Sequence, residues 1–135
     1  MADSLRIEKS YDLPFPPERV YAAWVSSDTV ISPATGMDID PVVGGHYRLI
    51  MDTPEYSGRN EGTFLTVEPG KHVRYTWEWN SDGEVTEIDV AFAASEVGTR
   101  ITLVQDGFQH QESMQRHADG WDSYIRGFTR FLESQ

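Results

Sequence analysis

The sequence predicts an α+β domain: a curved antiparallel sheet of about seven strands that closes over one long C-terminal helix. Three observations lead there. The last 25 residues repeat apolar side chains at helical spacing. From about residue 36 the period is two, interrupted by turn residues at short, regular intervals. Ahead of that, a strand pattern runs directly into a short helical one. The chain has 135 residues and its composition does not shift along its length, so one domain over 1–135 is expected.

The elements follow in order. In "LRIEKSYDL" Leu5, Ile7, Tyr11 and Leu13 alternate with polar residues, and Lys9 is the one polar break on the apolar face. In "PFPPERVYAAWVSS" Pro17 suits a first helical turn and Glu18 the positive end of the helix dipole. Val20, Ala23 and Trp24 then fall on one face of a helix of roughly three turns. Ser26, Ser27, Asp28 and Pro33 end it, and a second short helical turn is expected around Thr29 to Ser32, for an order β-α-α-β6-α. "HYRLIMD" follows the Gly44-Gly45 pair. "GTFLTVEPGKHVRYTWEW" turns at Pro69-Gly70, and Asp82-Gly83 signals a hairpin. "TEIDVAF" and "TRITLVQD" complete the strands. Register is ambiguous between residues 61 and 68, because one bulge there moves every following side chain to the other face.

On the closing helix, Met114, His117, Ala118, Trp121, Tyr124, Ile125, Phe128, Phe131 and Leu132 share a broad apolar face. Glu112/Arg116 and Asp122/Arg126 stand at favourable i, i+4 spacing. Gly120 and Gly127 lie along one edge and are expected to permit close approach of the sheet or of another chain, with a bend in the helix as the alternative, so a homodimer is entertained.

Composition excludes several function classes. Eleven Lys+Arg against 22 Asp+Glu give a formal charge of -11, with no local basic cluster, which repels phosphate backbones and anionic lipid heads. Nucleic-acid binding and membrane insertion are not expected. Zero cysteines rule out disulfides and thiolate chemistry. His46, His72, His110 and His117 show no metal-binding spacing, so neither a metal nor a cofactor is expected. The amino end lacks the basic and apolar regions of a secretory signal, and a cytoplasmic location is expected.

Four stretches together resemble the START-like (SRPBCC) superfamily and, within it, homologues of the heat-shock-protein-90 ATPase activator. "PPERVYAAWVSSD" is similar to that family's first helix and "VGGHYRL" to its glycine-led strand. "EGTFLTVEPGKHVRYTWEW" is similar to its central hairpin, and "TRITLVQDGF…GWDSYIRGFTRFLE" to its last strand and closing helix. The resemblance implies a helix-grip fold, with a seven-stranded sheet around the long helix and often a cavity between them. It implies no single reaction. Two departures stand out: "DTVISPATGMDI" lacks the tryptophan-rich turn of many relatives, and Gln105 stands where a histidine is frequent.

In that fold the stripe Val73, Tyr75, Trp77 and Trp79 looks inward, toward Trp121 and Phe128. Indole N–H and phenol O–H groups need partners when buried, so three on one strand imply polar atoms or a ligand inside. The same rings could equally be a packed core. The cavity candidates are Trp24, Arg48, Glu61, Tyr75, Trp77, Trp79, His117, Trp121 and Phe128. Arg48 and Glu61 qualify only if they point inward, and an outer, solvated face is the alternative. His117 could hydrogen-bond a ligand or move a proton near neutral pH, unless a neighbouring hydroxyl or carbonyl satisfies it. The favoured function is the binding of a small hydrophobic ligand between sheet and helix. The alternatives are a cyclase-type cavity enzyme using His117 or Glu61, and a chaperone or stress-response partner protein. The partner role ranks last, since the chain is expected to hold the START-like domain alone. No catalytic residue is assigned.

Overall fold

The computed structural model describes residues 5–55 and 57–135. Its elements run β1 (Leu5–Leu13), α1 (Pro17–Trp24), β2 (Gly36–Ile39), β3 (His46–Asp52), β4 (Ser57–Glu68), β5 (His72–Trp79), β6 (Thr86–Ala94), β7 (Thr99–Phe108) and α2 (Gln111–Glu133). The strands make one seven-stranded sheet in the order β1-β7-β6-β5-β4-β3-β2, and every neighbouring pair is antiparallel. The meander runs from β2 to β7, and β1 closes against β7. This is the α+β helix-grip architecture that the residue pattern and the resemblance lead one to expect.

Two local expectations are corrected. Helix α1 ends at Trp24 after eight residues, shorter than three turns. Beyond it, the described residues form no second helix: Asp28 N–H donates to Ser26 Oγ, and Ala34 N–H to the Ile31 carbonyl, as turns. Short polar side chains compete for backbone partners and so favour turns over helix in this stretch.

The alternation carries through to burial. Val73 and Tyr75 on β5, Ile88, Val90 and Phe92 on β6, and Ile101 and Leu103 on β7 face inward and are buried. Each such side chain, fully buried, stabilises the fold by about 1.5–3 kcal/mol. Lys9 shares the inner face of β1 because it and Tyr11 reach one carboxylate on α2. Lys9 Nζ lies 3.2 Å from Asp122 Oδ2, and the Tyr11 hydroxyl donates to Asp122 Oδ1 at 2.8 Å. Asp122 is thereby committed to β1, and Arg126 donates to Ser123 Oγ instead of following the expected i, i+4 pairing.

The register ambiguity resolves into a bulge between Phe64 and Thr66. Phe64 opposes Tyr75 and Val67 opposes Val73, so both face inward although three residues apart. Just before it, a Cβ on Gly62 would lie 1.9 Å from the Thr76 carbonyl oxygen and 2.6 Å from the Tyr47 ring. Only glycine lets β4 pass there.

A cleft between the uncovered strands and the closing helix

Seven strands at about 4.8 Å spacing make a sheet roughly 30 Å wide, whereas a helix with its side chains is about 10–12 Å across. One helix cannot cover that sheet. Helix α2 packs on β1 and β7. Between its other edge and the inner face of β2–β5 lies a cleft of about 1330 Å³. Its sheet wall includes Met37, Ile39, Leu49, Met51, Trp77 and Trp79. Its helix wall is the edge that presents Arg116, His117, Gly120, Trp121 and Tyr124. The exposed residues Ser32, Pro33, Asp82 and Glu112 also border it, so it opens to solvent.

Of the residues singled out from the sequence, Trp24, Tyr75, Trp77, Trp79, His117 and Trp121 do line this cleft. Three do not. Phe128 is fully buried behind the wall, edge-on to Trp24 at 5.3 Å and stacked on Tyr124 at 5.8 Å between ring centroids. Arg48 and Glu61 oppose each other across β3 and β4 on the outer face. Arg48 Nε donates to Glu61 Oε1 at 3.0 Å there, with each side chain nearly half exposed. The bulge lies after Glu61, so it leaves these two on the solvent side.

His117 organises one end. Both the Trp77 and Trp79 indole N–H groups donate to its Nε2, at 3.0 and 3.2 Å. Nδ1 donates to the Ser113 carbonyl, one turn back on α2, at 2.8 Å. An indole N–H can only donate, so Nε2 must carry the lone pair and the ring is neutral. Burial pushes the imidazole below its ordinary range, and Arg116 acts in the same direction. The Ser113 carbonyl and the Glu84 and Asp82 carboxylates pull the other way without cancelling it. Of the two roles His117 could have had, the geometry gives it that of a satisfied acceptor.

The segment leading into α2 beside it is held from afar. No side chain of α2 caps its own amino end, where His110 is the N-cap residue. Glu84, from the β5–β6 turn, accepts the Gln109 and His110 amides at 2.8 and 3.1 Å and the Ser113 hydroxyl. Partial burial would raise the Glu84 carboxyl. The hydrogen bonds from Ser113, Gln109 and His110, with the charge of His110, outweigh it and hold the carboxyl below the usual range.

The other end is built from rings. Trp24 stacks on Trp121 at 5.9 Å with 11° between planes, and Trp24 Nε1 donates to the Tyr75 hydroxyl at 3.2 Å. Trp121 Nε1 donates to Gln105 Oε1 at 2.8 Å, and Gln105 Nε2 donates to Thr86 Oγ1 at 2.9 Å. Gln105 is fully buried, so the residue at the frequent histidine position acts as an anchor that orients Trp121. Burial pushes the Tyr75 and Tyr124 hydroxyls well above the ordinary phenol range, and proximity to Tyr75 adds to the effect on Tyr124.

Sequence reasoning missed Tyr47 and Asn60. The Tyr47 hydroxyl lies 2.7 Å from both Asn60 Oδ1 and the Thr76 carbonyl, and buried Asn60 Nδ2 has no partner among the described residues. Tyr47 was legible as an inward position of "HYRLIMD"; Asn60 lies between two glycines, where no apolar alternation marks the face. Among the described residues no three His, Asp or Glu side chains cluster as metal ligands do, and no helix is long and apolar enough to cross a membrane.

Comparison with known proteins places the chain. No curated protein matches it. A solved structure of a protein from Chromobacterium violaceum superposes with a TM-score of 0.82 at 22% identity, covering 95% of this chain and 97% of that one. A Staphylococcus aureus protein of unknown function gives 0.83 at 18% identity, with coverage of 98% and 95%. An Aeromonas hydrophila protein described as similar to the activator of Hsp90 ATPase homolog 1 gives 0.80 at 26% identity, with coverage of 96% and 92%. The sequence model for "Activator of Hsp90 ATPase homolog 1-like protein" matches residues 14–133, and the chain belongs to that family.

Proposed function

We propose that this protein is a small-molecule-binding domain that holds a largely hydrophobic ligand in the cleft between β2–β5 and α2. The observation that carries the reading is the cleft itself: apolar strand residues stay half-exposed on an inner face whose other half is solidly filled. A roomy apolar pocket with a few oriented polar groups is the usual form of a small-molecule site. Binding is favoured over catalysis because the two sequence-derived acid–base candidates are both committed. His117 is a neutral acceptor for two indoles, and Glu61 is ion-paired outside. The net charge of -11 favours a neutral or cationic ligand over an anion. The absence of cysteine accords with work in the cytoplasm.

Native mass spectrometry of the protein as purified, paired with a Nile red titration, tests this reading. A discrete extra mass lost on denaturation, or a blue-shifted dye emission that Trp77→Ala weakens, supports it. A bare chain that also leaves the dye emission unchanged would sink it.

A further inference from the structure

The two ends of the cleft differ in what they offer a ligand. At the His117 end the indole and imidazole hydrogens are spent, since both indoles donate to Nε2 and Nδ1 donates to Ser113. At the other end two phenol protons are unspent. The Tyr75 hydroxyl accepts from Trp24 Nε1, and its own proton reaches no acceptor among the described residues. The Tyr124 hydroxyl makes no hydrogen bond among them either. Tyr75 is 6% exposed, so its hydroxyl proton is turned toward the cleft with little access to bulk solvent. Both side chains line the cleft and both flank one ring: Trp24 bonds the Tyr75 hydroxyl and packs edge-on against Tyr124 at 5.6 Å.

We infer that this end is a subsite for a hydrogen-bond-accepting oxygen, and that the ligand is an uncharged, flat apolar molecule bearing a carbonyl group seated against the Tyr75 and Tyr124 hydroxyls. The inference rests on the binding reading above and specifies its ligand class. Burial keeps both phenols protonated, so the pair presents donors. The Tyr75 oxygen already accepts from an indole, so at Tyr75 the group left to offer a ligand is the proton. A carboxylate would suit two donors, but the one Lys or Arg among the described lining residues, Arg116, lies eight residues before Tyr124 on α2, next to His117 at the other end. Asp82, Glu84 and Glu112 at the border of the cleft, with the net charge of -11, oppose an anion. A ketone, quinone or amide carbonyl accepts two hydrogen bonds at one oxygen without charge. Met37 and Met51 on the facing wall adapt to an apolar body of varied outline.

The test compares 1-indanone with indane, two flat molecules of nearly equal shape that differ by the carbonyl. Binding is followed through the four tryptophan indole N–H signals in 15N-labelled protein. The ketone is expected to bind roughly tenfold more tightly than the hydrocarbon, as two neutral hydrogen bonds of about 1 kcal/mol each would allow after imperfect alignment. Tyr75→Phe and Tyr124→Phe should each narrow the ratio of ketone to hydrocarbon affinity. The Trp24 indole signal should move most with the ketone. Equal affinities in the unmutated protein, or an advantage that survives both variants, would overturn the carbonyl subsite while leaving an apolar pocket in place. If neither compound shifts any indole signal up to its solubility limit, the binding reading falls and the subsite with it. The comparison in the unmutated protein needs no variant to fold, and the dispersion of the amide spectrum checks the two that are made.

Discussion

The inner face of the sheet has two halves of similar composition and opposite fate. Over β1, β6 and β7, Ile7, Ile88, Val90, Ile101 and Leu103 are all at most 4% exposed. Over β2, β3 and the end of β5, Met37, Leu49, Met51, Trp77 and Trp79 remain half-buried around open space. Both halves read as apolar alternation. What separates them is coverage: α1 packs on β6 and α2 on β1 and β7, with α2 tied to β1 through Asp122 and to the β5–β6 turn through Glu84. Those two ties hold the helix over one half. The buried Trp121, Ile125, Phe128 and Leu132 beneath the helix and the polar ties at its edges together set where the cleft opens.

The largest effect should come from the same substitution made in each half. Leu103→Ala in the filled half should lower stability by about 2–5 kcal/mol, and Leu49→Ala by less than half as much, because the cleft already supplies the space. Chemical denaturation measures both. Equal losses would mean that the cleft closes in solution and the two halves are alike.

Next comes the tie at the helix entrance. Glu84→Ala removes the carboxylate that holds the Gln109 and His110 amides just before α2 and the Ser113 hydroxyl in its first turn, and should cost about 1–2 kcal/mol, the scale of a lost cap. Because the folded Glu84 carboxyl is held below its unfolded value, its contribution is present above the ordinary carboxyl range and is lost as the pH falls through the folded value. An unchanged stability at pH 7 and an unchanged acid limb would show that α2 is held without this cap.

His72 and His117 sharpen the contrast between inside and outside. His72 lies on the outer face between Glu68 and Asp89, at 3.1 and 2.9 Å. Burial alone would lower it, but the Asp89 and Glu68 carboxylates raise it above its ordinary value. Its contribution is therefore complete below the unfolded value of about 6.5 and is lost as pH rises through the folded value. His117 is depressed, so its contribution is complete above about 6.5 and is lost as pH falls through its folded value. Imidazole NMR should show His117 titrating below 6.5 and His72 above it. The reverse order would mean that the indole–imidazole bonds do not hold in solution.

The smallest effects separate two glycines that look equivalent in sequence. A Cβ on Gly120 meets nothing within 4 Å, at the mouth of the cleft, whereas one on Gly127 would lie 2.6 Å from Ile31 Cγ2. Gly120→Ala should stabilise the helix by up to about 1 kcal/mol. Gly127→Ala should lose that gain to the clash or reverse it. Thermal melts of both decide it. The close approach expected at Gly127 is thus to the loop after α1, not to the sheet.

Local pattern by itself determined a good deal. Period two placed Val73, Tyr75, Trp77 and Trp79 on one inward face, and period 3.6 placed His117, Trp121 and Phe128 on the inner side of α2, because side-chain direction follows backbone geometry over a few residues. Tertiary structure alone decided the rest. A bulge at Phe64–Thr66 resolved the register and left Arg48 and Glu61 outside as a pair. Glu84 found the Gln109 amide, just before α2 and 25 residues away in sequence, as no spacing rule foretells. Phe128 was sealed behind Trp24 while Tyr124, four residues earlier, reached the cleft. Hydrogen-bond partners and empty space are properties of how elements of unequal width are laid on one another, and a helix narrower than its sheet leaves that choice to packing and a few polar ties far apart in the chain.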